Sequence, residues 1–320
     1  MTDGPRGLMN SKAQDEGSVV VGEEFPTPFE VIEPPQLTSP LVFSSPHSGR
    51  CYLSSFVAAS RLDLATLRRS EDAYVDELFS CVGAVGAPLL LAHVPRAYLD
   101  LNREPFELDP KLFIESLPDF ANTRSLRVAA GLGTIPRVVS DARAIYPAKL
   151  NLKEALKRIE LFYYPYHSVL RSLMARARER FGFAILIDCH SMPSTSTKDH
   201  HNIKSDRRRI DFVIGDRYGA SADRRIVLSV EDRLKRHGYH IQRNRPYAGG
   251  FITEHFGQPD LGWHALQIEV SRALYMDEVK IEKSLSFPQI AKHIAELVMG
   301  LSYDVAAREG FGVSQRAAAE

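Results

Sequence analysis

The sequence predicts a single α/β domain, a sheet covered by helices on both faces. Two observations carry that prediction: apolar runs of strand length alternate with longer runs of helical period, and no fixed-period repeat or Gly/Ser linker divides the chain into balanced halves. The composition agrees, since 320 residues with 44% hydrophobic and 25% charged side chains is ordinary for a globular protein. It excludes collagen-like, wholly disordered and disulfide-scaffold classes.

Residues 1 to 38 are rich in Gly, Pro, Glu, Ser and Thr, and Pro26, Pro28, Pro34 and Pro35 interrupt any period, so a flexible leader is expected there. The domain then runs over 39–310, with a flexible tail at 311–320. Leu41 to Ser45 is an apolar strand that delivers His47 into a Pro-His-Ser-Gly turn. Leu64, Leu67, Val75, Leu78 and Val82 recur at helical spacing between Ser60 and Val82, and Pro88 to Val94 is a second strand. Residues 104–147 carry many prolines and glycines and read as a loop insertion with short elements. Asn151 caps a helix running toward Arg180, interrupted at Pro165 because proline lacks an amide donor and clashes with the preceding turn. Strands at Phe183 to Asp188, Asp211 to Gly215 and Ala265 to Val270 follow, with helices at Ala222 to His237, ended by Gly238, and Phe287 to Leu301.

Lys+Arg and Asp+Glu each total 40, so the net charge is zero, with no global field for nucleic acid or an anionic membrane. Three scattered cysteines, Cys51, Cys81 and Cys189, fit a reducing compartment. The first ten residues lack the apolar core of a signal peptide, and the longest apolar stretch, near Ala84 to Val94, is far short of the roughly 20 residues a spanning helix needs. A cytoplasmic protein is expected. Oligomeric state is not legible.

Chemistry is expected where polar residues end apolar strands, since ligands of open α/β sheets bind there. In Asp188-Cys189-His190-Ser191, alternation puts Asp188 and His190 on one face and Cys189 on the other. This argues against a Cys–His nucleophilic pair and places a carboxylate where it can orient a metal-binding imidazole. His47 is a second imidazole at a strand end. A hydrolytic zinc site generally takes three His or carboxylate ligands and leaves a position for water. The third candidate lies in Ser70-Glu71-Asp72: on a helix, Glu71 falls inside the apolar stripe and Asp72 at its margin, and periodicity does not choose between them. Glu269 projects from the strand Ala265 to Val270 opposite its apolar face, where it would serve as a general base beside an activated water. Asn102-Arg103 suits recognition of a substrate carboxylate.

Other features point away from function. Lys198 to His201 and Arg207 to Arg209 form a basic stretch without aromatic interleaving or zinc-finger spacing, read as a solvated loop or lid. Tyr247-Ala248-Gly249-Gly250 lacks the Lys and spacing of a phosphate-cradling loop. There is no Gly-x-Ser-x-Gly nucleophile elbow.

Taken together, Ser45-Pro46-His47-Ser48-Gly49, Asp72 with Val75 to Leu78, Asp100 to Arg103, Asp188 to Ser191, Pro246 to Gly250, and His264 to Glu269 followed by Leu274-Tyr275-Met276 resemble the N-formylglutamate amidohydrolase family, in order, across about residues 41 to 280. The resemblance implies a zinc-carboxypeptidase-like (phosphorylase/hydrolase-like) fold with a mixed, mostly parallel sheet. It also implies zinc-dependent cleavage of N-formyl-L-glutamate to formate and glutamate in histidine degradation, with one zinc per chain and a small N-acyl amino acid as partner. By matching positions it implies His47, His190 and Asp72 as metal ligands, with Glu71 a rival to Asp72 because the related peptidases use Glu. It implies Glu269 as general base and Asn102 with Arg103 as the carboxylate clamp, and leaves Arg137 and Arg243 as further candidates for the substrate or the oxyanion. A deacylase of another N-acyl amino acid is the nearest alternative. A non-catalytic binding member is the other, and the retained Glu269 argues against it.

Overall fold

The computed structural model describes residues 19–25, 27–139, 141–197 and 209–306. Its centre is a seven-stranded sheet built from β1 (Phe29–Ile32), β2 (Leu41–Ser45), β3 (Leu89–Ala92), β4 (Ala184–Met192), β5 (Phe212–Gly215), β6 (Ile241–Arg243) and β7 (Trp263–Ser271). The spatial order is β1-β3-β2-β4-β7-β5-β6. The four central strands β3, β2, β4 and β7 are parallel, β1 is antiparallel to β3, and β5 and β6 run together against β7. This is the mixed, mostly parallel sheet that the resemblance implies.

The central strands are buried along their lengths because helices cover both faces, and that is why they read as unbroken apolar runs. Phe43, Ile185, Ile187, Cys189, Leu266 and Ile268 pack with helices Arg224–Arg236 and Phe287–Ala306. Val42, Leu90, Leu186 and Ala265 face the other way, toward Leu152–Arg158, Tyr164–Phe181 and Phe251–Phe256. Asn151 caps as expected, its Oδ1 accepting from the Lys153 amide at 2.8 Å. The interruption near Pro165 is a π turn, Ile159–Tyr163, immediately before the helix whose first turn holds the proline.

The structure differs from the sequence expectation in three places. Part of the stretch read as leader is regular: Val20–Gly22 pairs with Cys51–Leu53, and β1 forms an edge of the main sheet. Ser60 to Val82 is not one helix but short turns at Leu64–Arg68, Val75–Leu78 and Ser80–Val85, separated by a reversal in which Tyr74 takes a left-handed φ of 66°. β4 continues through Asp188-Cys189-His190-Ser191 instead of ending there, because β7 pairs with it as far as Met192. Residues 1–18, 198–208 and 307–320, which include most of the basic stretch and the expected tail, lie outside the described residues. Among the described residues no helix is long and apolar enough to cross a membrane, and the three cysteines are unpaired.

Candidate metal centre

His47 follows the C-terminal end of β2, and the Asp72 amide donates to the His47 carbonyl at 2.9 Å, which draws the 69–74 turn against that strand end. His190 projects from neighbouring β4. Ligand-type atoms of His47, Asp72 and His190 lie within 4.8 Å of one another, and all three residues are buried. Asp72 Oδ2 is 2.9 Å from His190 Nδ1 and 3.5 Å from His47 Nδ1. Glu71 points elsewhere, accepting from the Tyr52 hydroxyl at 2.8 Å and pairing with Arg68. Both residues sit in the turn between the short helices Leu64–Arg68 and Val75–Leu78, so helical periodicity does not apply to them.

Each imidazole is backed by a carboxylate on its other nitrogen. His47 Nε2 is 2.7 Å from Asp100 Oδ1, and His190 Nε2 is 2.9 Å from Asp188 Oδ2. A carboxylate there favours the Nε2–H tautomer and turns the Nδ1 lone pair inward. His47 Nδ1 is buried without a hydrogen-bond partner, and three carboxylates surround two imidazoles, so the donor set fits a divalent cation. The charge balance shows the same demand. Burial opposes charge on both groups, yet His190 and His47 hold the Asp72 carboxyl well below its ordinary range. Asp188 and Asp72 correspondingly hold the His190 imidazole well above its ordinary value.

Glu269 lies on β7 directly across from His190 in the strand register. Burial, reinforced by the Asp72 charge, pushes its carboxyl up to about 7 against the opposing pull of His190 and Arg96. Gln267, two residues earlier on the same face, donates to Glu269 Oε1 at 2.6 Å and accepts from the Gly250 amide at 2.6 Å. Arg272 leaves the same strand and donates to Asp72 Oδ1 at 3.1 Å, to Ser191 Oγ at 3.1 Å and to the Arg69 carbonyl at 3.2 Å, so Asp72 turns its other oxygen to the imidazoles.

A cavity of about 630 Å³ opens over this centre. Asn102 and Arg103 line it, as do Arg96, Arg127 and Arg272. The Asn102 amide is held within the protein: Nδ2 donates to Asp188 Oδ2 at 3.0 Å and Oδ1 accepts from the Ile252 amide at 2.7 Å. Gly250 is required beside it, because a Cβ there would stand 2.5 Å from the Asn102 side chain. Arg103 donates to the Leu132 and Asn102 carbonyls at 2.9 and 2.7 Å and reaches Asp100 at 3.4 Å. The Tyr163 hydroxyl, in the π turn, donates to the Arg103 carbonyl at 2.7 Å. Arg137 and Arg243 are not brought to the cavity; Arg137 pairs with Asp109 at 2.7 Å and Arg243 with Glu231 at 2.8 Å.

Sequence reasoning assigned no role to Arg96, Asp100, Arg127, Gln267 or Arg272. Gln267 had a signal, the two-residue alternation with Glu269 on a half-polar strand. Asp100 and Arg96 had none beyond proximity to Asn102-Arg103, since the partner that gives Asp100 its role, His47, is some fifty residues away, and Arg96 joins the site only through Asp100.

Residues 39–276 match the family model described as N-formylglutamate amidohydrolase. Over 242 residues the chain is 30% identical to a Pseudomonas aeruginosa protein named N-formylglutamate deformylase, the match covering 75% of this chain and 83% of that one. A protein of the same name from Pseudomonas putida is 29% identical over 244 residues, with the same shares covered. Among solved structures, the chain is similar to the crystal structure of N-formylglutamate amidohydrolase from Ralstonia eutropha, with a TM-score of 0.81, 34% identity, and 88% of this chain and 99% of that chain covered.

Proposed function

The chain belongs to the N-formylglutamate amidohydrolase family, and from that premise we propose that it hydrolyses N-formyl-L-glutamate to formate and L-glutamate, within histidine degradation, at one zinc ion per chain. The observation that carries this reading is the buried convergence of His47, Asp72 and His190 beside Glu269 at the floor of a cationic cavity. His47 Nδ1, His190 Nδ1 and Asp72 Oδ2 would hold the metal. Zinc suits such a donor set, and when bound it supplies a Lewis acid and acidifies water in its open position without redox chemistry.

The chain's own residues do the rest. Glu269 takes a proton from the attacking water and returns it to the departing amine nitrogen, and a carboxyl raised by burial is matched to that exchange near neutral pH. Gln267 occupies Glu269 Oε1 and leaves Oε2 for the proton. Arg103 takes the α-carboxylate, held in place through its backbone carbonyl by Tyr163. Asn102 acts by position, fixing Asp188 and the Gly250–Ile252 turn. Arg96, anchored through Nε to Asp100 at 2.9 Å, presents its remaining guanidinium nitrogens to the developing oxyanion.

The test is hydrolysis of N-formyl-L-glutamate by purified protein with its metal content quantified, followed by chelation and zinc add-back on the same sample. Activity lost on chelation and restored by zinc is expected. A folded, metal-loaded sample inert toward this substrate would refute the proposal, and turnover of another member of an N-formyl, N-acetyl and N-formimidoyl panel would identify the deacylase alternative.

A further inference from the structure

Four guanidinium groups line the same cavity, and they differ in how far each is already engaged; Arg272 is committed to Asp72, Ser191 and the Arg69 carbonyl. Arg103 is deep, 7% exposed, and donates to two backbone carbonyls. Arg96 is anchored on Asp100. Arg127 stands on the short helix Leu126–Ala129, inside the 104–147 insertion, with its side chain 37% exposed. Among the described residues the one polar contact of its guanidinium is a loose approach of 3.9 Å to Glu107 Oε2, itself a buried oxygen without a hydrogen-bond partner. Like charges crowd this wall: with burial, the guanidiniums of Arg96 and Arg127 press the Arg103 pKa down to about 10 against Asp100 and Glu107. An anionic ligand relieves that repulsion.

We propose that Arg127 is the specificity-determining residue that binds the side-chain carboxylate of the substrate, so that the insertion, not the strand ends, selects a dicarboxylic N-acyl amino acid. This deepens the reading above and rests on it. The assignment follows from depth. The α-carboxylate of N-formyl-L-glutamate sits on the carbon that carries the scissile amide, so it must bind close to the metal centre, where Arg103 is buried. The second carboxylate is two methylenes further out, which suits a guanidinium at the partly exposed rim with donors uncommitted. A planar fork meets a carboxylate with two parallel hydrogen bonds there.

The experiment compares kcat/KM for N-formyl-L-glutamate and its neutral isostere N-formyl-L-glutamine in wild type, Arg127→Gln and Arg127→Lys. Wild type should prefer the dianion. Arg127→Gln should lose about tenfold to a hundredfold in kcat/KM on N-formyl-L-glutamate, chiefly through KM, so the preference collapses, while Arg127→Lys retains part of it. Calorimetric binding of L-glutamate against L-glutamine to the metal-free protein gives the same comparison without turnover. Undiminished preference in Arg127→Gln, in both kinetics and binding, would overturn the assignment while leaving the amidohydrolase reading intact. If metal-loaded wild type cleaved neither compound, that reading would fall and this one with it.

Discussion

Acidification should destabilise this protein through a residue outside the metal centre. His167, on the helix Tyr164–Phe181, stacks on Tyr163 with ring centroids 4.2 Å apart and has Nε2 2.8 Å from the Leu101 carbonyl. It thereby props the backbone that presents Asn102 and Arg103. Burial, aided by the charges of His255 and Arg171 and opposed by the Leu101 contact, brings its pKa down to about 4, against about 6.5 in an unfolded chain. The folded protein therefore binds fewer protons between these values, and the stability from neutral His167 is complete above about pH 6.5 and lost as pH falls toward 4. A shift of about 2.5 units corresponds to roughly 3 kcal/mol in full, of which about 2 kcal/mol is already lost at pH 5. His167→Gln keeps an N–H for the Leu101 carbonyl and removes the titration. Urea unfolding of chelated wild type and variant at pH 8 and pH 5 isolates the difference, because every other titrating group is shared. The variant should lose about 2 kcal/mol less than wild type on going to pH 5; an equal loss in both would refute the reasoning.

Further consequences concern the site itself. Glu269→Gln should lower kcat by about a hundredfold to ten-thousandfold while zinc stoichiometry stays at the wild-type value, and near-normal turnover would remove Glu269 from proton transfer. Asp188→Asn preserves shape but removes the negative charge behind His190, so zinc affinity measured by chelator competition should fall about tenfold to a hundredfold; an unchanged affinity would show that Asp188 does not tune the ligand. Gly250→Ala puts a methyl group 2.5 Å from an Asn102 side chain that hydrogen bonds prevent from yielding, and it should cost about 1–3 kcal/mol in unfolding experiments together with most of the activity. A stable, active Gly250→Ala enzyme would mean that Asn102 moves freely.

Local periodicity made much of this protein legible. Leu41 to Ser45, the alternation of Asp188 with His190 around Cys189, and that of Glu269 with the apolar face of its strand are statements about neighbours along one chain, and a strand's two-residue period answers them without partners. Caps are equally local, which is why Asn151 and Gly238 marked helix ends correctly. Other outcomes depended on what a side chain or amide meets across the fold. Glu71 and Asp72 were separated only when the Asp72 amide bonded to the His47 carbonyl and Tyr74 turned left-handed, which sends one carboxylate to the imidazoles and the other to Tyr52. Arg137 and Arg243, further candidates for the substrate or the oxyanion in sequence, are held by Asp109 and Glu231 away from the cavity, whereas Arg127, unremarkable in sequence, faces it with only a loose partner. A sequence specifies which groups carry charge and which face of an element they share. Whether a guanidinium is neutralised within the protein or left for a ligand depends on distances between segments far apart in the chain, and only packing sets those.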